Sequence, residues 1–333
     1  MNFFFSHGRT AFKYGLKSLN LKKNDSVMLP EYICDVLLDP LKDLGIKPIF
    51  YEINNDFTTN WQSLKKRYKK SVKALVIINY FGFEEQKKAF NLFCKQKKIF
   101  LIEDNCHSLN IDKNKIDNQV DITFYSIRKI LKDTYCGGLL KIKKMQNESI
   151  FVNSNLKKNN VSIKMIVNNI LENKFLKFKR FLKYIFFKMP KYSVINFIKN
   201  DKINEDFLID DHSKLIFEKT KFTQTRNFRY RNYLIWQKLC KNNKYFEGIE
   251  RKINKQNIPW VYPVYVNDIK VRNAIFKFGW KNGYTITSWP SLPKNLINKK
   301  NKRIWNKLIC FNTDRAPVLN NLEFNNIIYR SNG

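Results

Sequence analysis

The sequence predicts an α/β fold: a three-layer α/β/α unit with a mostly parallel central sheet, followed by a smaller C-terminal α/β unit. Three observations predict it. Short apolar runs alternate with amphipathic stretches through the first 140 residues, the rhythm of βαβ units with helices on both faces of a sheet. The apolar runs close on polar or glycine residues, where open sheets place their ligands. The texture changes after residue 140, and regular patterning returns near 215. The chain therefore divides into a large unit over 1–215, with an irregular basic and aromatic helical segment at 150–215, and a small unit over 216–333. A chain of 333 residues can bury a large core and a smaller one.

Each element has its own signal. In SHGRTAFKYGLKSLN (6–20) the chain breaks at 6–8, and Phe12, Leu16 and Leu19 then recur at helical spacing. DSVMLP reads as a strand, EYICDVLLDPLKDLG as a helix closed by Gly45, and KPIFYEI as the next strand. A polar stretch containing Trp61 leads to the buried strand KALVIINYFG, the amphipathic helix EEQKKAFNLFCKQKK and the strand IFLIED. Beyond 215, KLIFEKTKFTQTRNFRYRNYLIWQKL reads as one long helix and IPWVYPVYV as a strand. DIKVRNAIFKFGWKNG is a helix ending at Gly283, YTITSWPSLP is a strand entering a proline-rich turn, and the tail adds a helix and a short strand.

The formal charge is +34. It attracts polyanions: nucleic acid, anionic lipid headgroups or phosphorylated substrates. The lysines are scattered and no recognition module accompanies them, so specific nucleic-acid binding is not expected. Cys34, Cys94, Cys106, Cys136, Cys240 and Cys310 show neither CxxC nor metal-ligand spacing. They imply free thiols, a reducing compartment and no metal site. MNFFFSHGRT turns polar too soon for a signal peptide, and no apolar run approaches about 18 residues. A cytoplasmic location is expected. The segment KFLKFKRFLKYIFFKMPKYSVINFIK mixes aromatic and aliphatic residues with lysine and arginine. Two readings stand for it: membrane-surface contact through 175–188, or an irregular helical connection packed on the large unit or on a partner subunit.

Candidate chemistry gathers at the strand ends. Positions 8–10, 32–34, 79–82, 104–107 and 126–129 all fall there. LIEDNCHSL (101–109) presents Asp104 and His107. DITFYSIRKILKDTYCGGLL (121–140) presents Ser126, Arg128 and Lys129 before a Gly-Gly step. A carboxylate at one strand end and a lysine at the next can hold pyridoxal phosphate: the acid keeps the pyridine nitrogen protonated and the amine condenses with the aldehyde. Gly8, Arg9 and Thr10 at a helix start offer N–H groups, a hydroxyl and the positive end of the dipole to an anion. Each residue alone also has a structural reading, as a cap or a surface lysine.

This ordered set resembles the DegT/DnrJ/EryC1/StrS family, sugar aminotransferases of the fold-type-I pyridoxal-phosphate superfamily. The resemblance covers 8–140 well and the rest loosely. Gly8-Arg9-Thr10-Ala11 stands at the family's Gly-Thr-Ala phosphate turn. LPEYICDVLLDPLKDLGIKPIFYEI matches its strand–helix–strand, and NYFG its Tyr-Gly strand end. Glu103, Asp104 and His107 match its Glu-Asp-x-x-Gln/His, while Asp121 and Ser126 match the strand before its cofactor lysine.

There are departures. The family places that lysine five residues after the serine, here Leu131; Lys129 is the first candidate and Lys132 the second. Cys34 stands where an aromatic usually stacks on the cofactor ring. The segment Gly-Tyr-Asn-Tyr-Arg, which clamps the neighbouring subunit's phosphate, is not visible between 150 and 220. The resemblance implies a homodimer that takes an amino donor and a nucleotide-linked keto sugar. Lys129 and Asp104 would be catalytic. Gly8, Arg9, Thr10, Ala11, Cys34, His107, Ser126 and Arg128 would join them around the cofactor. A sugar dehydratase using the same cofactor is the alternative, as is a non-catalytic descendant that binds a membrane or a protein partner.

Overall fold

A computed structural model describes residues 1–110, 112, 117–143, 156–175, 178, 206–241, 243–317 and 324–326. Among the described residues, eight strands precede residue 143: β1 (Asn2–Phe5), β2 (Ser26–Pro30), β3 (Lys47–Tyr51), β4 (Val72–Ile78), β5 (Phe100–Asp104), β6 (Ser108–Asn110), β7 (Ile122–Ser126) and β8 (Gly138–Ile142). All but β6 join one sheet, in the order β3-β2-β4-β5-β7-β8-β1. The pairs from β3 to β7 are parallel, and β8 runs antiparallel to both β7 and β1. One reversed strand thus sits in an otherwise parallel sheet, as the βαβ rhythm implies.

Side chains alternate across this sheet with the period of two that a strand imposes. On β4, Ala74, Val76 and Ile78 enter one core and Leu75 and Ile77 another. The first core holds Phe12 and Leu16 of α1 (Gly8–Ser18) and extends into the C-terminal unit. Three more helices follow in chain order: α2 (Asp39–Asp43), α3 (Trp61–Arg67) and α4 (Lys87–Lys97). The second core holds Leu64 of α3 and Phe90 and Phe93 of α4. Two apolar faces covered by helices make the three layers.

The remaining elements are α5 (Ile127–Ile130), α6 (Ile163–Asn173), α7 (Asp211–Lys219), α8 (Phe222–Lys241), β9 (Phe246–Gly248), β10 (Asn257–Pro259), β11 (Val261–Val266), α9 (Ile269–Asn282), β12 (Ile286–Thr287), α10 (Lys299–Lys307) and β13 (Leu308–Asn312). A second, antiparallel sheet runs β12-β13-β11-β9. β10 leaves it to pair with β6, Ile258 opposite Leu109. Trp236 of α8 stacks on Phe311 of β13 at 4.3 Å. Asp268 caps α9 by accepting from the N–H groups of Lys270 and Val271, and Gly283 ends it at φ 77°, as its sequence indicates.

The structure departs from the sequence reading in several places. EYICDVLLDPLKDLG is not one helix but a 3-10 turn at Asp35–Leu37 and the five-residue α2. Pro40 lacks an N–H and restricts its predecessor, so a helical ladder starts there and cannot pass through it. The long helix after 214 breaks at Thr220, which is extended. Phe217 and Phe222 both enter the core and meet at 5.2 Å. Five residues apart on one helix they would point about 140° from each other, so the chain resets its phase between them. The polar stretch around Trp61 is helical, with Asn60 accepting from the Ser63 N–H at 2.9 Å. IPWVYPVYV serves two sheets, dividing at Trp260. The apolar start of the chain is an edge strand. Of 175–188, only 175 and 178 lie within the described residues. Among the described residues no helix is long and apolar enough to cross a membrane.

Candidate active site

Strand alternation turns two neighbouring carboxylates to opposite faces at the end of β5. Glu103 is held by Lys87 Nζ (2.8 Å), Asn79 Nδ2 (2.7 Å) and Thr123 Oγ1 (2.9 Å). It borders a cavity of about 590 Å³ that Asn105, Tyr125 and Asn257 also line. Asp104 is buried on the other side, where the Cys106 N–H donates to its Oδ1 at 2.9 Å. Burial raises the Asp104 pKa; that N–H and the charge of Lys129 act against the rise.

Lys129 reaches the same place from the next strand. It sits on α5, one short turn after β7, and its Nζ lies 4.7 Å from the Trp260 ring and 5.9 Å from the Trp289 ring. Its charge acts on Asp104, Cys34, Cys106 and His107. The turn is fixed from several sides. Ile127 N–H donates to Gly137 O (3.0 Å), buried Arg229 donates to Ile130 O, and Asn169 of α6 donates to Lys132 O (3.1 Å). Gly138 lies so close to the His7 carbonyl that a Cβ would overlap it, which brings β8 against the start of α1. Lys132 points elsewhere, to Asp314 at 3.1 Å. Leu131, at the family's usual lysine position, is buried in the core.

The start of α1 forms the third side. A Cβ on Gly8 would sit 3.0 Å from Cys106 Sγ and 3.6 Å from Ser126 Cβ, so glycine lets the helix start abut the β7 end. Ala11 gives its N–H to His7 O (3.0 Å); the N–H groups of 8–10 point out of the helix start. Thr10 is buried there and Arg9 half-buried. Arg128 is exposed, yet its charge and that of Arg9 add to burial in lowering the His7 pKa to about 4. The local field is therefore positive and suits an anion. Cys34 caps the 3-10 turn, with its thiol pushed up to about 11 by burial.

His107 is buried. Its Nδ1 accepts the Phe81 N–H at 3.1 Å, which places the ring proton on Nε2, and burial lowers its pKa well below the ordinary value. Phe81 stacks on the imidazole at 5.5 Å while held at φ 58°, a strained conformation for a bulky residue. Trp289 meets the imidazole edge at 4.3 Å and Trp260 at 4.8 Å. Tyr80 OH donates to Tyr32 O, and Tyr32 OH to Trp289 O, each at 2.7 Å. Burial keeps both phenols protonated and able to donate. Sequence reading missed these walls; the Trp-Pro step and the Trp of IPW were the available signals.

A buried carboxylate, an amine in its field and a cationic helix start are the donor set that a phosphorylated pyridine aldehyde needs. Residues 4–127 match the DegT/DnrJ/EryC1/StrS aminotransferase family. Among curated proteins, GDP-4-keto-6-deoxy-D-mannose 3-dehydratase of Escherichia coli O55:H7 is 29% identical over 99 residues, 29% of this chain and 26% of that enzyme. GDP-perosamine synthase of Vibrio cholerae is 20% identical over 124 residues, 36% of this chain and 34% of that one. The matches thus span about a quarter to a third of these relatives. The solved E. coli GDP-4-keto-6-deoxy-D-mannose-3-dehydratase with bound hydrated PLP superposes with a TM-score of 0.60 at 16% identity, covering 100% of this chain and 87% of that one. At that identity the likeness establishes the fold.

Proposed function

We propose that this protein is a pyridoxal-phosphate-dependent aminotransferase that moves an amino group from an amino acid to a nucleotide-linked keto sugar, for polysaccharide or glycoconjugate synthesis. A cytoplasmic homodimer is part of the reading. The observation that carries it is the convergence of Asp104 and Lys129 beside the start of α1, in a chain whose first part matches an aminotransferase family.

When bound, pyridoxal phosphate supplies an electron sink conjugated to its aldehyde carbon. Asp104 would hold the proton on the pyridine nitrogen of the bound cofactor. Lys129 would be the amine that holds the cofactor through its aldehyde and, when released, the base that moves a proton at the donor Cα. Thr10, Ser126 and the first-turn N–H groups of α1 would hold the phosphate, with Arg9 and Arg128 supplying positive field. His107, with its proton on Nε2, donates a hydrogen bond or packs on the ring. Trp260 and Trp289 shield the Lys129 amine from water.

The test is the visible spectrum with added pyridoxal phosphate, then borohydride reduction and peptide mass mapping. A band with the label on Lys129 is the expected result. A label on Lys132 keeps the enzyme and moves the lysine; no band and no label overturns the reading. The match to a 3-dehydratase favours a second reading, loss of a sugar hydroxyl with the same cofactor. Product analysis with a keto-sugar nucleotide separates the two: an amino sugar supports transfer and a deoxy sugar dehydration.

A further inference from the structure

The helix α6 is amphipathic the wrong way round. Asn169 faces the body of the protein and donates to Lys132 O and Thr134 O. Ile163, Ile166, Val167 and Ile170 are turned to solvent, 80%, 36%, 48% and 44% exposed. At about 100° per residue these four share one arc about 100° wide, a complete apolar stripe. Phe175 and Phe178 follow it and are more than half exposed. A stripe of this kind marks an interaction site, whereas single exposed apolar residues such as Phe228 do not.

Charge indicates what covers it. Lys157, Lys164 and Lys174, around this helix, are exposed. Glu172 is the one acidic residue between Lys157 and Asn200, a span with eleven lysines and arginines. The stripe lies along one helix, and all four of its residues stand exposed. A narrow apolar face bordered by lysines matches the boundary between acyl chains and anionic headgroups, where such helices lie in the plane of the surface.

We infer that α6, with Phe175 and Phe178, docks this protein on anionic membrane. The bound enzyme would work beside lipid, with the turn that bears Lys129 and Lys132 anchored to the docking helix through Asn169. This docking is independent of the aminotransferase reading.

The test is co-sedimentation of the full chain with phosphatidylcholine vesicles, with and without phosphatidylserine, run beside light scattering. The wild type is expected to bind the anionic vesicles at least about tenfold better than the neutral ones and to be released by salt. Ile166→Asn/Ile170→Asn is expected to lose about tenfold or more of that binding while keeping its circular dichroism. If the double variant misfolds, Lys164→Glu/Lys174→Glu takes its place with the same expectation. Equal binding by folded variant and wild type overturns the proposal. So does a wild-type dimer that ignores vesicles and becomes a monomer in the variant, which would make the stripe a contact between copies. The wild type's cofactor band reports the active site separately: no band with retained vesicle binding would count against the enzyme reading only.

Discussion

The two sheets bring different chemistry to one cleft. The seven-stranded sheet supplies charge and donors at its strand ends: Asp104 at the end of β5, Lys129 after β7, and the start of α1 against Ser126. The antiparallel sheet supplies walls: Trp260 between β10 and β11, and Trp289 after β12, both over the Lys129 amine. Substitutions in the first should therefore abolish chemistry, and substitutions in the second should loosen its enclosure.

The largest effect expected is from Lys129→Ala. Turnover should fall by about 10³-fold or more and borohydride should label nothing at that position. Lys132→Ala should stay within about threefold, because that amine is spent on Asp314; the reverse ranking would transfer the catalytic role to Lys132. Asp104→Asn should lower kcat by about 10²-fold, as an interaction made mainly with developing charge, and single-turnover rates would show it.

Acid should open the first sheet's side of the cleft. His7 at the α1 cap has its pKa lowered to about 4, against about 6.5 in the unfolded chain. The unfolded state therefore takes up a proton first, and stability present above pH 6.5 is lost as pH falls toward 4. The whole shift is worth at most about 3–4 kcal/mol, less where water reaches the ring. Denaturation curves of His7→Asn should be flatter across that window; an unchanged slope would assign the acid sensitivity to other groups. Of the changes to residues around the cleft, the mildest expected loss of turnover is from Trp289→Ala. Half-buried, it should cost about 2 kcal/mol of stability and raise KM more than it lowers kcat. A loss of turnover to match Asp104→Asn would dissolve the distinction between the two sheets.

Most of the first sheet was legible because its instructions are local. Apolar runs of strand length, polar strand ends and glycines at helix ends each act within a few residues, and they place Asp104, Ser126 and Lys129 without reference to the rest of the chain. The C-terminal contribution was not legible in that way. Trp260 reaches the site through the β6–β10 pairing, which joins residues nearly 150 apart, and Trp289 through a carbonyl held by Tyr32. Nothing near either tryptophan announces its partner. The serine-to-lysine spacing likewise left Lys129 and Lys132 open; what the sequence could not give is that Lys129 faces Trp260 and Lys132 faces Asp314.

The hydrogen bond from Arg229 to the Ile130 carbonyl makes this protein poorly divisible. A fragment ending after β8 would keep every strand of the large sheet, and with it Asp104 and Lys129. It would lack Arg229 and Asn169, so the carbonyls of Ile130 and Lys132 would have no donor from either residue and the turn would lose its geometry. A chimera that grafts a relative's C-terminal unit onto this sheet would inherit the same fault unless the graft brought its own guanidinium to that carbonyl. The turn that bears Lys129 thus belongs to the whole chain.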